Sequence, residues 1–229
     1  MEEIQVTENK LGTMPIDQLL LKMSIPMVIS MLVQSIYNIV DSMFVSRISE
    51  DALTAVSLAF PVQNILIAFG IGIGVGASAL LSRFLGENNL DRVGTVAVHG
   101  MIIAFVTYII FAILGMLFTN SFVDAQGQNA QVTTYTREYL HIVTIFSIGI
   151  FFQILAEKLL QATSLTNYTM ITQMSGAIIN TILDPILIFG LFGFPRLEVK
   201  GAAIATVVGQ LGGGIVGFYF NKTKNNDIK

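Results

Sequence analysis

The chain has 229 residues, of which 53% are hydrophobic and 12% charged, and its net charge is −3. Soluble domains carry about twice that charged fraction, so the composition points to the membrane class, and the small charge gives no handle for nucleic acid or an anionic surface. There is no cysteine, which excludes disulfides and thiolate metal sites.

Residues 1–19 open with MEEIQVTENKLGTMPIDQ, polar and mostly acidic. With no basic region and no small-residue cleavage site, they read as a solvated tail, not a signal peptide, with an amphipathic turn at 16–21. Six apolar runs follow, at 20–46, 54–82, 93–119, 139–161, 168–192 and 200–220. Each approaches or exceeds the ~20 residues a spanning helix needs. The breaks between them, such as SRISEDA, GENNLDR and TNSFVDAQGQNAQ, hold charged or turn-forming residues. None is long enough to separate two domains. The reading is an all-α integral membrane fold, with one six-helix lobe over 20–220 and a short tail over 221–229.

In the first run, Ser30, Gln34, Asn38 and Asp41 follow one another at spacings of four, four and three, with Tyr37 alongside. They share one helix face, and a polar stripe faces protein or a water-filled cavity, not lipid. The second run contains GIGIGVGA at 70–77. A dinucleotide fingerprint needs a preceding strand; inside a spanning run, Gly70/Gly74 and Gly72/Gly76 read as close-packing pairs. His99 and His141 stand 42 positions apart and read as ordinary helix residues. Glu157–Lys158, near the end of the fourth run, reads as an interfacial anchor. The fifth run places Asn180 and Asp184 one turn apart and Pro185 beside them. Proline frees the carbonyl of Thr181, so carboxylate, amide and carbonyl oxygens suit a small hard cation, or Asp184 holds a proton instead. Gly209, Gly213 and Gly217 repeat the close-packing spacing in the sixth run.

Orientation follows from the basic residues. With the N-terminus cytoplasmic, that side holds eight (Lys10, Lys22, Arg83, Arg92, Lys158, Lys222, Lys224, Lys229) and the other four (Arg47, Arg137, Arg196, Lys200). The bias places both termini on the cytoplasmic side of the cell membrane.

Four stretches carry a family resemblance: IPMVISMLVQSIYNIVDSMFVSRI, LLSRFLGENNLDRV, NTILDPILIFG and VKGAAIATVVGQ. From about Leu20 to Phe220 the chain resembles the amino-terminal lobe of a multidrug and toxic compound extrusion (MATE) transporter, closest in wording to the bacterial branch of DinF-like and staphylococcal multidrug exporters. The resemblance implies a twelve-helix, two-lobe fold with pseudo-twofold symmetry, of which this chain is one lobe. It implies a proton or sodium site at Asp41, Asn180, Asp184 and Thr206, a change of helix architecture near Pro185, and no other cofactor. Gln34, Tyr37 and Asn38 become substrate-cavity candidates.

The implied activity is cation-coupled antiport of a small cationic amphiphile, not enzymatic catalysis; there is no HExxH or GxSxG motif. The implied partners are lipid and a carboxy-terminal lobe or second copy. The fourth run's exit, AEKLLQATSLTNY, departs from the family's RGxGN form. Two alternatives stand beside this reading: a lipid-linked substrate flippase of the same superfamily, or a non-transporting half that assembles with a partner lobe.

Overall fold

The computed structural model describes residues 15–228. The expected tail over residues 1–14 lies outside the described residues. Seven α-helices follow in order: α1 Ile16–Ser46, α2 Glu50–Gly86, α3 Leu90–Asp124, α4 Ala130–Ile145, α5 Ile148–Ala162, α6 Thr166–Phe189 and α7 Val199–Lys224. Short 3₁₀ turns occupy Leu191–Gly193 and Asn226–Ile228. Among the described residues five helices are long and apolar enough to cross a membrane, and the pair α4–α5, bent by 49°, passes the same test taken together, as a sixth candidate span. Chemistry local to the loops starts several helices: Ser49, Asn89 and Asn129 each accept a backbone N–H at the first turn of α2, α3 and α4. Gly190, at φ 75°, ends α6 in the left-handed region, where an added Cβ would stand 2.8 Å from the backbone N of Arg196.

The outer surface is apolar, as lipid requires. On α3, Ile102, Val106, Ile110, Ile113 and Leu117 all face outward. Inside, two apolar clusters stack along the bundle. One gathers Val45, Ala55, Ala59, Val123, Val143 and Ile188; the other gathers Leu66, Leu81, Val93, Phe151, Leu155 and Leu159.

The fourth span differs from the single helix expected at 139–161. It begins at Ala130 and breaks at Phe146–Ser147. The halves serve different clusters: Val132, Tyr139, Leu140 and Val143 of α4 enter the first, and Phe151, Leu155 and Leu159 of α5 enter the second. The break gives the two halves different directions, 49° apart. At the turn Ser147 donates its backbone N–H to the carbonyl of Thr144, a tightened i−3 bond.

The ends also differ from the sequence reading. Helix α1 begins at Ile16, inside the expected tail. Three side chains tie residues 221–228 back to the bundle: Asn221 donates to the carbonyls of Ala156 and Gly217, both at 2.9 Å, Asn225 is fully buried, and Ile228 packs on the second cluster. Helix α6 runs through Pro185 without interruption and ends at Phe189.

Glycine sets how closely the helices approach. At Gly209 a Cβ would meet the carbonyl O of Gly176 at 2.8 Å, and at Gly217 it would meet Ala156 at 2.9 Å. Gly213 lies as tightly against Gln153, so the whole 209/213/217 face is a packing seam. Gly70 and Gly74 pack on Ile154 and Lys158, whereas Gly72 and Gly76 meet nothing within 4 Å. Only one of the two expected pairs in α2 therefore packs within the lobe, because the second lies on the opposite side of the helix.

This contrast gives a direct test. Gly209→Ala is expected to destabilise the chain by about 1–3 kcal/mol, since backbone cannot move aside as a side chain can. Gly72→Ala is expected to hold or raise stability, by up to about 1 kcal/mol from helix propensity. Thermal unfolding of the two purified variants in detergent measures both.

Candidate functional site

The polar stripe on α1 and the polar face of α6 meet inside the bundle. Helix α1 packs chiefly against α6, and α6 chiefly against α7. Asp184 is fully buried and Asn180 nearly so. The amide of Asn180 donates to Asp184 Oδ1 at 3.5 Å and to Thr206 Oγ1 at 3.4 Å, which joins α6 to α7. Asp41 comes across from α1, and its carboxyl stands next to that of Asp184. The structure thus brings Asp41, Asn180, Asp184 and Thr206 together, from three helices far apart in sequence.

Three oxygens of this group, Asp41 Oδ1, Asn180 Oδ1 and Asp184 Oδ2, are buried with no hydrogen-bond partner. Leaving such atoms unpaired costs about 1–3 kcal/mol each, more for a charged group. Two carboxyls side by side add repulsion when both are ionised. A proton shared between them, or a small hard cation, removes both penalties. Among the described residues no three of His, Cys, Asp and Glu gather as a metal cluster. A cation here would instead be held by two carboxylates with amide and hydroxyl oxygens.

Two tyrosines close the group. The hydroxyls of Tyr37 and Tyr139 both reach toward the side chain of Thr206. Tyr139 Oη also accepts from Gln63 Nε2 at 3.0 Å, which ties α4 to α2. Sequence reasoning passed over Tyr139 and Gln63. Gln63 stands beside Asn64, and Tyr139 follows Arg137 and Glu138 at the start of its run, so neither belongs to the spaced polar stripes that marked the other helices.

A cavity of about 490 Å³ opens beside this group. Ser30, Gln34, Tyr37 and Asn38 of α1 form one wall, so the three candidate substrate residues do line a cavity. Gln34 and Asn38 remain exposed at its open side. Asn180 and Thr206 also border the cavity, so the buried oxygens stand next to its lumen.

Glu157 departs from its expected place. It is 5% exposed and borders this cavity, and it accepts hydrogen bonds from Gln153 and Gln173. The interfacial reading fails because α5 is tilted by the break after Ile145, which turns the face of Gln153, Glu157 and Gln161 into the lobe. The i, i+4, i+8 spacing of those three was the available signal.

The MatE family model matches residues 26–186. The chain is 32% identical over 197 residues to the FAD transporter of Shewanella oneidensis, covering 86% of this chain and 44% of that one. It is 30% identical over 206 residues to the multidrug export protein MepA of Staphylococcus haemolyticus, covering 90% and 45%. A solved transporter of the MOP superfamily from Pyrococcus furiosus superposes at TM-score 0.83 with 30% identity, over 91% of this chain and 45% of that one. A solved MATE structure does so at TM-score 0.86 with 28% identity, over 96% and 49%. The chain thus spans about half the length of the relatives it matches. It belongs to the MatE family, whose members are secondary transporters, not enzymes, and it has the multi-pass fold of one half of such a transporter.

Proposed function

We propose that this chain is the amino-terminal lobe of a cation-coupled exporter of cationic amphiphiles in the cell membrane, with both ends on the cytoplasmic side. The observation that carries the reading is the set of unpartnered buried oxygens on Asp41, Asn180 and Asp184, held beside a cavity that amphipathic residues line. Such a group binds a proton or sodium ion, and the organic cation is excluded while the ion is bound. Both cations are drawn to the same acidic cavity, so occupancy by one weakens the other. Ion binding at the seam of α1 and α6 also changes how α1, the least buried long helix, lies on the bundle. One charge moving through 100 mV supplies about 2.3 kcal/mol, enough for a gradient of several tens-fold at about 1.4 kcal/mol per factor of ten. The exposed Gln34 and Asn38 bond to nothing in lipid, so a second lobe forms the other wall of the cavity.

A second reading, an anionic cargo, draws on the similarity to an FAD transporter and on Lys158 at the cavity wall. Charge favours the cationic reading. Asp41, Asp184 and Glu157 stand in or beside the cavity, whereas Lys158 alone is basic there, and its ammonium already donates to Gln161 Oε1 at 2.9 Å.

In a two-lobe protein containing this chain, Asp41→Asn and Asp184→Asn are each expected to abolish ion-driven ethidium efflux from proteoliposomes at unchanged protein content. Undiminished efflux by the double variant rejects the coupling assignment. Comparing imposed sodium and proton gradients then identifies the ion.

Neutralising one carboxyl also relieves their mutual repulsion. Asp184→Asn is therefore expected to raise the melting temperature of the purified chain in sodium-free buffer at alkaline pH. The rise is about 2–4 °C for each ~1 kcal/mol relieved. A fall would show that the pair is held together by favourable contacts and not poised for an ion.

Orientation is read by labelling, which the absence of native cysteine makes simple. Cysteine at exposed Gln128, between α3 and α4, is expected to react with an impermeant maleimide in intact cells, and cysteine at exposed Lys224 is expected to resist it. The reverse pattern places the termini outside.

A further inference from the structure

The far end of the cavity holds a second polar group. Glu157 Oε1 accepts from Gln153 Nε2 at 3.0 Å, and Oε2 accepts from Gln173 Nε2 at 2.9 Å. Thr169 Oγ1 donates to the backbone carbonyl of Glu157 at 3.4 Å, fixing that turn of α5 against α6. The carboxyl is 5% exposed, yet among the described residues no ion pair closes on it. Lys158, its neighbour in sequence, points to Gln161, with its stem laid across Gly74, where a Cβ would stand 2.6 Å from Lys158 Cγ. A buried carboxylate normally finds a cation as well as hydrogen bonds, because two amides alone leave its charge uncompensated.

A third acceptor stands beside the carboxyl. Gln173 Oε1 is buried and has no hydrogen-bond partner, while the same side chain's amide holds Glu157. Glu157, Gln173 and Gln153 all border the cavity, and Met27, Phe60, Ile67, Ile71 and Ile154 supply apolar wall around it. Each carboxylate oxygen accepts one bond here and has capacity for another. Three acceptor oxygens with unused capacity, next to an apolar wall, match a group with several N–H donors and a hydrocarbon body. Along α6, Gln173 precedes Asp184 by eleven residues, about 16 Å of helix, so this group is separate from the Asp41–Asp184 pair.

We propose that Glu157 and Gln173 form a docking subsite for the protonated amine of an amphiphilic ligand, at the end of the cavity where α5 finishes and α6 begins. The proposal rests on the exporter reading of the cavity but not on ion coupling. The ammonium donates to Glu157 and to Gln173 Oε1, and its hydrocarbon body lies along Phe60 and Ile154. A ligand held here does not touch Asp184, so the subsite selects cargo while the other carboxyl pair handles the ion.

The test is equilibrium binding of 4-phenylbutylamine, protonated at pH 7, to the purified chain in nanodiscs, with empty nanodiscs subtracted. The neutral 4-phenylbutanol serves as the matched ligand without the charge. Glu157→Gln is expected to weaken the amine about tenfold, the scale of one charge-assisted hydrogen bond, and to leave the alcohol unchanged. Gln173→Met is expected to weaken the amine a few-fold with the same selectivity, and it decides the question if Glu157→Gln fails to fold. Unchanged amine affinity in the variant, or equal losses for amine and alcohol, overturns the subsite. Failure of this binding leaves the efflux test of Asp41 and Asp184 standing, and failure of that test leaves this one standing.

Discussion

Asp184 has no access to solvent at all, in a chain built to lie in lipid. Hydrocarbon offers no hydrogen bonds, so every polar group must find its partner inside the protein or in a cavity. That constraint decides which helix faces meet. The stripe on α1 has nowhere to go but against α6, and α6 turns Asn180 and Asp184 away from lipid toward Asp41 and Thr206. Some of these oxygens nevertheless remain unpartnered. Under the proposed reading, that shortfall is where the ion comes and goes.

Close approach of backbones makes the group possible. The amide of Asn180 reaches Thr206 only because α6 and α7 touch through glycine, with Gly176 and Gly209 set carbonyl to Cα. A side chain at either position would push the helices apart and break the 3.4 Å contact. Packing and the candidate site therefore share one seam. Under the proposed reading, a substitution at Gly209 acts on the ion site as well as on stability.

The cavity depends on a different device. Because α4 and α5 are separate pieces set 49° apart, α5 turns Gln153, Glu157 and Gln161 inward. The lumen then has polar groups at both ends and apolar wall between, as an amphiphile requires. Under the proposed reading, one end handles the ion and the other meets the charged head of the cargo.

Much of this was legible in the residues. Apolar runs of spanning length and the short polar breaks between them reported the membrane and the helices, because lipid imposes length and composition directly. Helical spacing reported that Gln34, Tyr37, Asn38 and Asp41 share a face, and that Asn180 and Asp184 share another, because periodicity is local. Spacing could not say which glycines touch a neighbour, that the fourth span breaks at Phe146–Ser147, or that Glu157 turns inward and Tyr139 joins Thr206. Those outcomes depend on which helices become neighbours and at what angle. Neighbours far apart in sequence are chosen by packing the whole bundle at once, so only the tertiary structure decided them.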